Sequence, residues 1–225
     1  NENAGKYKGL LVQEAKEEII GDLKAQGLLV KQEEIDQRRP ICWRSKNPIE
    51  FVPMKEFYLK QVEFKEDILK MADHMTFFAP ESRQILIDWI NSVNIDWVIS
   101  RRRYYGTEVP LWYCTKCDYI LVPKPGRYYQ PWREKPPIEK CPKCGNPQFR
   151  GEERTFDTWF DSANSEIYIL GYLWNKDFFQ RHFPCTLRPQ GKEIVRNWLY
   201  FTVLKAYLLL GKAPFKDVWI HMHVV

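Results

Sequence analysis

Long apolar runs are missing from this sequence of 225 residues. No stretch approaches the roughly 18 consecutive apolar residues of a membrane-spanning helix. The longest candidate, near residues 203–210, is interrupted by Lys205 and closed by Gly211 and Lys212. A basic-then-apolar leader is missing too. We therefore expect no membrane partner and no secretion. The sequence begins with Asn1 instead of Met, which predicts that the chain is a piece of a longer protein.

A dominant charge of one sign is also missing. The 34 Lys and Arg residues exceed the 29 Asp and Glu residues by 5, which permits a polyanionic partner without requiring one. Aromatic residues are abundant, with 9 Trp, 12 Tyr and 13 Phe. They fit either a large core or surfaces on which bases or apolar amino acids stack. The composition leaves both interpretations open.

Hydrophobic periodicity predicts helices and strands in alternation. Apolar residues at helical spacing predict helices over residues 10–29, 63–75, 82–93 and 192–210. Short apolar runs predict strands at 98–99, 156–160 and 217–225, and further short strands around a turn in 41–60. Strands that alternate with helices indicate an α/β sheet in the last third of the chain.

Four of the six cysteines form two CxxC pairs, Cys114 with Cys117 and Cys141 with Cys144. Two such turns can place four thiolates around one cation, and a tetrahedral sulfur site favours Zn²⁺. Four protein ligands close the site, so we predict a structural zinc. The alternative is that no metal is bound and the four thiols pack against one another. Ser45 stands where a partner for Cys42 would be expected, so we predict no metal there, and Cys185 is expected to be buried.

The segment around Gly191 has the pattern strand, glycine turn, helix, which allows a nucleotide to approach the backbone. Glu193 either accepts hydrogen bonds from ribose hydroxyls or only stabilises the helix N-terminus. Ile194 and Trp198 are four residues apart and can wall an apolar pocket together with Trp159, although core packing explains the three equally.

The order of the motifs resembles that of class I aminoacyl-tRNA synthetases of the valine, isoleucine and leucine group, and most closely the valyl enzymes of archaeal type. The resemblance extends over nearly the whole chain and rests on GLLVQEAK, CWRSKNPIEF, DWVISRRRYYGTEVPLWYC, the cysteine pairs, FDTWFDSANS, LRPQGKEIVRNW and PFKDVWIHMHVV.

This resemblance implies an α/β fold that contains the second half of a Rossmann-like catalytic domain, with a four-cysteine zinc-knuckle insertion and the tail of an editing insertion. The implied division is residues 1–40 for the editing tail, 41–100 for the return linker, 101–150 for the start of the catalytic half with the knuckle at 114–144, and 151–225 for the Rossmann-like half.

The resemblance also implies roles for single residues. Trp159, Ile194 and Trp198 match positions that enclose the aliphatic amino-acid side chain. Gly191 and Glu193 match a Gly-x-Asp that contacts the adenylate ribose, with Glu replacing Asp. His221 matches a histidine near the adenosine, although Met222 replaces the glycine that usually follows it. These assignments are expectations from the family.

The implied activity is the ATP-dependent activation of valine and its transfer to tRNA(Val), with Mg²⁺ accompanying ATP, in the cytoplasm. The sequence contains neither an HxGH nor a KMSKS motif, so we expect no catalytic residue in this chain and no activity from it alone. The implied partners are the HIGH half, the KMSKS loop and the anticodon-binding domain.

Three alternatives remain. The first is an isoleucyl synthetase fragment, although Thr158 and the LRPQG segment favour the valyl enzymes. The second is a stand-alone zinc-stapled module that binds RNA through Arg101, Arg102, Arg103 and exposed aromatic residues. The third is one subunit of a split synthetase. An exposed apolar sheet edge would favour a fragment or subunit over a module.

Overall fold

The computed structural model describes residues 2–223. It divides into two compact units, one over residues 1–55 and one over residues 56–225. The first unit contains a short 3-10 segment, Glu2–Tyr7, and one longer helix, α1 (Val12–Ala25). Gly27 follows this helix with a φ of +69°, in the left-handed region that glycine adopts easily. The predicted helix over residues 10–29 is therefore present, and it ends where the glycine indicates.

The rest of the first unit is largely irregular. Ile41 forms a single antiparallel bridge with Pro48, and a tight turn lies between them. The short strands predicted over residues 41–60 are thus present only in part, as this bridge and as the first strand of the second unit.

The second unit contains ten short strands and six helices within the described part of the chain. In chain order they are β1 (Tyr58–Leu59), α2 (Lys65–Asp73), β2 (Thr76–Phe78), α3 (Arg83–Ser92), β3 (Trp97–Val98), β4 (Ser100–Arg101), β5 (Trp112–Cys114), β6 (Ile120–Leu121), β7 (Phe149–Gly151), β8 (Thr155–Phe156), α4 (Thr158–Ser162), α5 (Ser165–Ile169), α6 (Lys176–His182), β9 (Cys185–Gly191), α7 (Tyr200–Leu210) and β10 (Phe215–His221). A 3-10 turn (Lys192–Ile194) and a π-helical turn (Val195–Leu199) join β9 to α7.

A parallel sheet in the order β2–β10–β9 forms the centre of this unit. Val218 of β10 lies opposite Phe77 on one side and Arg188 on the other. Because all three strands run the same way, their carboxyl ends meet at one edge. The predicted α/β sheet is therefore present in the last third of the chain, with β2 added from earlier in the sequence. The last two residues of the strand predicted over 217–225 lie outside the described residues.

Helix α7 packs against α2 and against the turn that precedes it. Its residues from Tyr200 to Ala206 are all buried, as expected for a helix that is apolar on every side. Helices α2 and α3 each bury one apolar stripe, formed by Ile68 with Ala72 and by Leu86 with Ile90. Gly211, with a φ of +65°, ends α7. Among the described residues, no helix has both the length and the apolar character needed to cross a membrane.

The segment 156–160 differs from its prediction. Instead of one buried strand, it forms the end of β8 followed by helix α4. The cause is Asp157, whose carboxylate accepts a hydrogen bond from the backbone N–H of Trp159 at 2.8 Å. Aspartate in this position caps a helix N-terminus. Trp159 is therefore a helical residue.

One face of the parallel sheet carries exposed apolar side chains. Phe78, Trp219 and Pro189 lie side by side across the three strands, and all three are exposed. The rings of Phe78 and Trp219 are 6.5 Å apart. The opposite face is buried beneath the helices. Such a contiguous apolar row marks a surface that ordinarily packs against another part of a protein.

Candidate active site and metal centre

The carboxyl edge of the parallel sheet brings together the residues that were predicted to contact adenylate. Gly191 is the last residue of β9 and lies directly opposite His221, the last residue of β10. Open α/β sheets bind their ligands at this edge. Glu193 follows two residues after Gly191, in the turn that leaves the sheet. A crevice at this edge would therefore be bordered by all three residues.

Gly191 leaves space for the side chain of Glu193. Its backbone is extended, with φ −74° and ψ 153°, so a left-handed conformation does not explain the glycine. A Cβ at residue 191 would instead collide with the Glu193 carboxylate. Glu193 Oε2 also lies 3.4 Å from His223 Nε2. The carboxylate thus lies beside the end of β9 and is exposed.

The three residues predicted to enclose the amino acid lie on the segments that flank this edge. Ile194 and Trp198 lie in the 3-10 and π-helical turns after β9, and Trp159 lies in α4. The Trp198 indole Nε1 donates a hydrogen bond to the carbonyl of Ser162, the last residue of α4, at 3.1 Å. The two tryptophan-bearing segments are therefore joined. All three side chains are partly buried, and their contact with an amino acid stays a prediction.

A buried charged group beneath Trp198 was not anticipated from the sequence. The guanidinium of Arg188 lies between two rings, with Cζ 3.9 Å from the Trp198 centroid and 4.4 Å from the Phe215 centroid. Its counter-ion is Glu166, at 3.9 Å. Both side chains are only 3–5% exposed. The alternation of Arg188 and Gln190 around Pro189 was the available signal, because these two residues share one face of β9.

Burial shifts the ionisation of this group. Desolvation raises the pKa of Glu166 to about 7 and lowers the pKa of Arg188 to about 10. Desolvation also lowers the pKa of Lys205 to about 8, and its ammonium donates to the carbonyl of Phe160 at 2.9 Å. Within the described residues, neither carboxylate oxygen of Glu166 and neither amide atom of Gln190 has a hydrogen-bond partner. Buried polar atoms of this kind are costly unless something satisfies them.

The four cysteines of the two CxxC pairs converge on one point. All four sulfur atoms lie within 4.8 Å of one another. Cys114 and Cys144 are 3.5 Å apart, and Cys117 and Cys141 are 3.7 Å apart. A tetrahedral site with metal–sulfur bonds of about 2.3 Å requires sulfurs about 3.8 Å apart. The cluster therefore fits a metal ion, and the thiols converge instead of packing independently.

Two equivalent turns build the four-cysteine cluster. In the first, the Asp118 amide donates to the Cys114 carbonyl at 3.0 Å, and in the second the Gly145 amide donates to the Cys141 carbonyl at 2.8 Å. Asp118 and Gly145 both have positive φ, +52° and +73°. Strand β5 ends at Cys114, so the antiparallel sheet β6–β5–β7 carries the first turn.

The environment of Cys114 favours a thiolate. Burial alone would raise its pKa, but hydrogen bonds from the Asn146 amide and from the backbone of Lys116 and Cys117 lower it to about 6. The pKa of Cys117 is shifted in the opposite direction. The backbone of Tyr119 lowers its pKa, but desolvation and the three neighbouring sulfurs raise it to about 12. Four thiolates this close repel one another, and a central cation removes that repulsion.

A third turn of the same form lies at Cys42. The Cys42 amide donates to the Asn47 carbonyl at 2.8 Å, and the Lys46 amide donates to the Cys42 carbonyl at 2.8 Å. Lys46 has a φ of +61°. Ser45 occupies the position of the second cysteine, and its hydroxyl accepts from the Asn47 amide at 3.4 Å. The backbone of a metal knuckle is thus present with one of its two thiols replaced. Cys185 is partly buried, somewhat more exposed than predicted.

Comparison with known proteins identifies the family. A profile of the class I tRNA synthetases (I, L, M and V) matches residues 12–225. The chain belongs to the class I tRNA synthetases. Its fold is shared with a solved member of the family. Over 82% of this chain and 29% of the other, it is similar to Mycobacterium tuberculosis methionyl-tRNA synthetase in complex with methionyl-adenylate, with a TM-score of 0.51 and 14% identity.

Three relatives with higher sequence identity are valine–tRNA ligases. The valine–tRNA ligase of Aeropyrum pernix is 48% identical over 220 residues, which is 97% of this synthetase chain and 27% of that relative. The valine–tRNA ligase of Pyrobaculum aerophilum is 48% identical over 96% of the chain and 28% of the relative. The valine–tRNA ligase of Nanoarchaeum equitans is 47% identical over 95% of the chain and 28% of the relative. The chain thus spans about a quarter of the length of the curated relatives it matches.

Proposed function

We propose that this chain is part of a valine–tRNA ligase, which activates valine with ATP and Mg²⁺ and transfers it to tRNA(Val) in the cytoplasm. The observation that carries the proposal is the 48% identity to the Aeropyrum pernix valine–tRNA ligase along 97% of the chain. The isoleucyl alternative is less well supported, because the relatives named above, at 47–48% identity, are valine–tRNA ligases.

In this proposal the carboxyl edge of the parallel sheet holds valyl-adenylate. Gly191 and Glu193 contact the ribose, and His221 lies beside the adenosine. The pairing of Gly191 with His221 supports this, because both end their strands at the ligand-binding edge. Glu193 is exposed next to them, so its carboxylate is available to accept from hydroxyl groups.

The side chains of Trp159, Ile194 and Trp198 would enclose the isopropyl group of valine. The hydrogen bond from Trp198 to Ser162 supports a common pocket, because it joins the segments that carry the two indoles. An apolar pocket can exclude isoleucine by its size, but it rejects the nearly isosteric threonine by only about 100-fold. An enzyme with this pocket therefore needs an editing step, which fits the assignment of residues 1–40 to the tail of an editing insertion.

We assign Zn²⁺ to the four cysteines. Sulfur ligands with the spacing of a tetrahedron favour this ion over harder cations such as Mg²⁺. All four positions are filled by protein, so the ion would hold the insert together and take no part in the reaction. Residues 114–144 would then form a zinc knuckle in the catalytic half.

The catalytic groups would come from other parts of the synthetase. These are the half with the HIGH motif, the KMSKS loop and the anticodon-binding domain. The exposed row of Phe78, Pro189 and Trp219 supports this, because an isolated module would leave that apolar face in water. Residues 41–100 would be the return linker, and the catalytic half would begin near residue 101.

The experiment is valine-dependent exchange of pyrophosphate into ATP by the full-length protein that contains this chain. We expect exchange with valine and much less with isoleucine. Trp198→Ala should weaken valine binding by roughly 1–3 kcal/mol through lost apolar burial, while the zinc content stays the same. An unchanged KM for valine in this variant would refute the role of Trp198, and faster exchange with isoleucine would refute the choice of amino acid.

A further inference from the structure

Asp157 connects the helix of the proposed valine pocket to strands β3 and β4. It is only 8% exposed and lies between β8 and α4, the short helix that carries Trp159. Its amide donates to the Ile99 carbonyl at 2.7 Å, so its backbone extends the pairing of β8 with β4 by one residue. The chain turns from strand to helix at the next residue. Asp157 is not among the residues assigned above to valine, adenylate or metal.

Both oxygens of the Asp157 carboxylate accept hydrogen bonds. Oδ1 accepts from the Trp159 amide at 2.8 Å, and Oδ2 accepts from Trp97 Nε1 at 3.3 Å and from Arg101 Nη2. Arg101 Nη1 donates in turn to the Val98 carbonyl at 2.6 Å. The carboxylate is therefore fixed from the side of the strands, and its other oxygen faces the first turn of the helix.

Trp97 anchors this arrangement in the core. It is 6% exposed, and its indole is stacked on Phe201 of α7, with the ring centroids 3.6 Å apart and the ring planes 5° from parallel. Helix α7 begins directly after the turn that carries Trp198. Trp97 thus links Asp157 to the element beside the second tryptophan of the proposed pocket.

Helix α4 has little stability of its own. It contains 5 residues, Thr158–Ser162, and isolated helices shorter than about 12 residues are marginal in water. Phenylalanine, threonine and tryptophan also favour strands, which is why the apolar run predicts a strand over 156–160. The cap at Asp157 is therefore what starts the helix here. Its hydrogen bond is made to the amide of Trp159 itself, so it fixes the backbone from which this indole projects.

We infer that Asp157 is a positioning residue for valine, which holds the Trp159 indole against the amino-acid pocket by capping α4. The inference rests on the proposed function, which assigns Trp159 to that pocket. Asp157 itself touches no substrate. Its loss should weaken valine binding and leave ATP binding unchanged, because the residues assigned to adenylate lie at the carboxyl edge of the parallel sheet, outside α4.

The test measures the KM for valine and the KM for ATP by pyrophosphate exchange in the full-length protein. Asp157→Ala removes the cap and should raise the KM for valine by about tenfold or more, with the KM for ATP unchanged. Asp157→Asn retains an oxygen that caps as well as aspartate does, so its KM for valine should stay close to the original. Loss of folded protein lowers only the apparent kcat, so KM separates positioning from stability. Equal impairment by the two variants would show that the cap is not the cause.

A double-variant cycle shows whether Asp157 acts through Trp159. If it does, Asp157→Ala combined with Trp159→Ala should have the same KM for valine as Trp159→Ala alone, because the indole that the cap positions is already absent. Independent effects would instead multiply, since free energies of separate sites add. Multiplied effects would therefore refute the inference.

Asn175 provides the matched control. Its side chain caps α6 by accepting from the Phe178 amide at 3.1 Å, as Asp157 caps α4, but α6 carries no residue assigned to the pocket. Asn175→Ala should lower the urea midpoint of unfolding and leave the KM for valine unchanged. If Asn175→Ala raises this KM as much as Asp157→Ala does, loss of any cap weakens binding and Asp157 has no special role.

Arg101→Gln decides the question if Asp157→Ala does not fold, because the Arg101 side chain is 33% exposed. The carboxylate then loses one of its supports, and the KM for valine should rise by about threefold. An unchanged KM in Asp157→Ala, or in Arg101→Gln when it is the variant used, overturns the inference. If Trp159→Ala still raises the KM in that case, the proposed function stands. If the unaltered full-length protein shows no valine-dependent exchange, the proposed function fails and the inference fails with it.

Discussion

The guanidinium of Arg188 is stacked on the indole of Trp198, with its Cζ 3.9 Å from the ring centroid. The same indole donates a hydrogen bond to Ser162. Two contacts from different elements, β9 and α4, therefore orient the side chain that we assign to the valine pocket. A cation stacked on a ring away from water is worth about 2 kcal/mol, and the Glu166 carboxyl group lies 3.9 Å from the guanidinium.

Replacing Arg188 should disturb both stability and valine binding. Arg188→Met keeps much of the apolar volume but removes the cation that faces Glu166. Above pH 7, where Glu166 is ionised, the variant therefore leaves a buried carboxylate without its counter-ion, which costs about 3 kcal/mol of folding free energy. We expect the KM for valine in the full-length protein to rise by about tenfold, since Trp198 loses its support. Urea unfolding and exchange kinetics measure the two effects.

The double variant Arg188→Met, Glu166→Gln is the control for this prediction. It removes the uncompensated charge, so most of the stability should return while the KM for valine stays high. If the KM returns to its original value together with the stability, Arg188 has no part in positioning Trp198.

The raised pKa of Glu166 predicts a loss of stability with increasing pH. The folded state keeps the carboxyl protonated up to a pKa of about 7, whereas the unfolded chain releases this proton near pH 4.5. Between these values the folded state binds more protons, so its stability decreases as the pH rises. The loss amounts to roughly 3 kcal/mol by pH 7.

Glu166→Gln removes this titration. Unfolding midpoints in urea, measured from pH 5 to pH 7, should therefore decline for the unaltered chain and decline less for the variant. Lys205, with its lowered pKa of about 8, makes stability depend on pH only above that value. Parallel pH profiles for the two proteins would contradict a buried, protonated Glu166.

Each cysteine of the cluster should be necessary for metal binding. We expect about one equivalent of zinc in the purified chain, and less than half of that after Cys114→Ser or Cys144→Ser, because three thiolates bind the ion less tightly than four. Metal analysis with a thiol assay measures this. The parallel sheet should stay folded in these variants, since its buried residues are not on the insert.

The other two cysteines provide the controls for the metal. Cys42→Ser and Cys185→Ser should retain the full equivalent, because neither residue belongs to the cluster. Zinc loss in Cys42→Ser would show that the knuckle-like turn at Cys42 takes part in metal binding. Undiminished zinc in Cys114→Ser would show that the doubled CxxC is not the site.

The 225-residue chain by itself should not catalyse valine-dependent exchange of pyrophosphate into ATP. In the proposed function its residues provide the amino-acid pocket and the ribose contacts, whereas in-line attack on the α-phosphate also needs groups that stabilise developing charge. The assay uses protein freed of host synthetase, with the full-length protein as the positive control. Exchange that persists through further purification and disappears in Trp198→Ala would contradict the prediction.

Local patterns in the sequence were sufficient for much of this protein. The long helices could be predicted because their apolar spacing and closing glycines act within a few residues, as at Gly27 and Gly211. The convergence of the four cysteines could be predicted because each CxxC builds its own turn. The family followed from motifs that keep their order along the chain. The failure at residues 156–160 was also local, since the helix cap at Asp157 outweighed the apolar run.

Tertiary structure decided the relationships between distant residues. Arg188 and Glu166 find each other only when β9 and α5 pack together, and no periodicity marks that pairing. Glu108 collects three donors from a loop some 20 residues later. Pairing of β9 with β10 places Gly191 beside His221 across 30 residues of chain. Sequence spacing carries information over one or two turns of backbone, whereas burial, charge pairing and strand register depend on which surfaces meet when the chain folds.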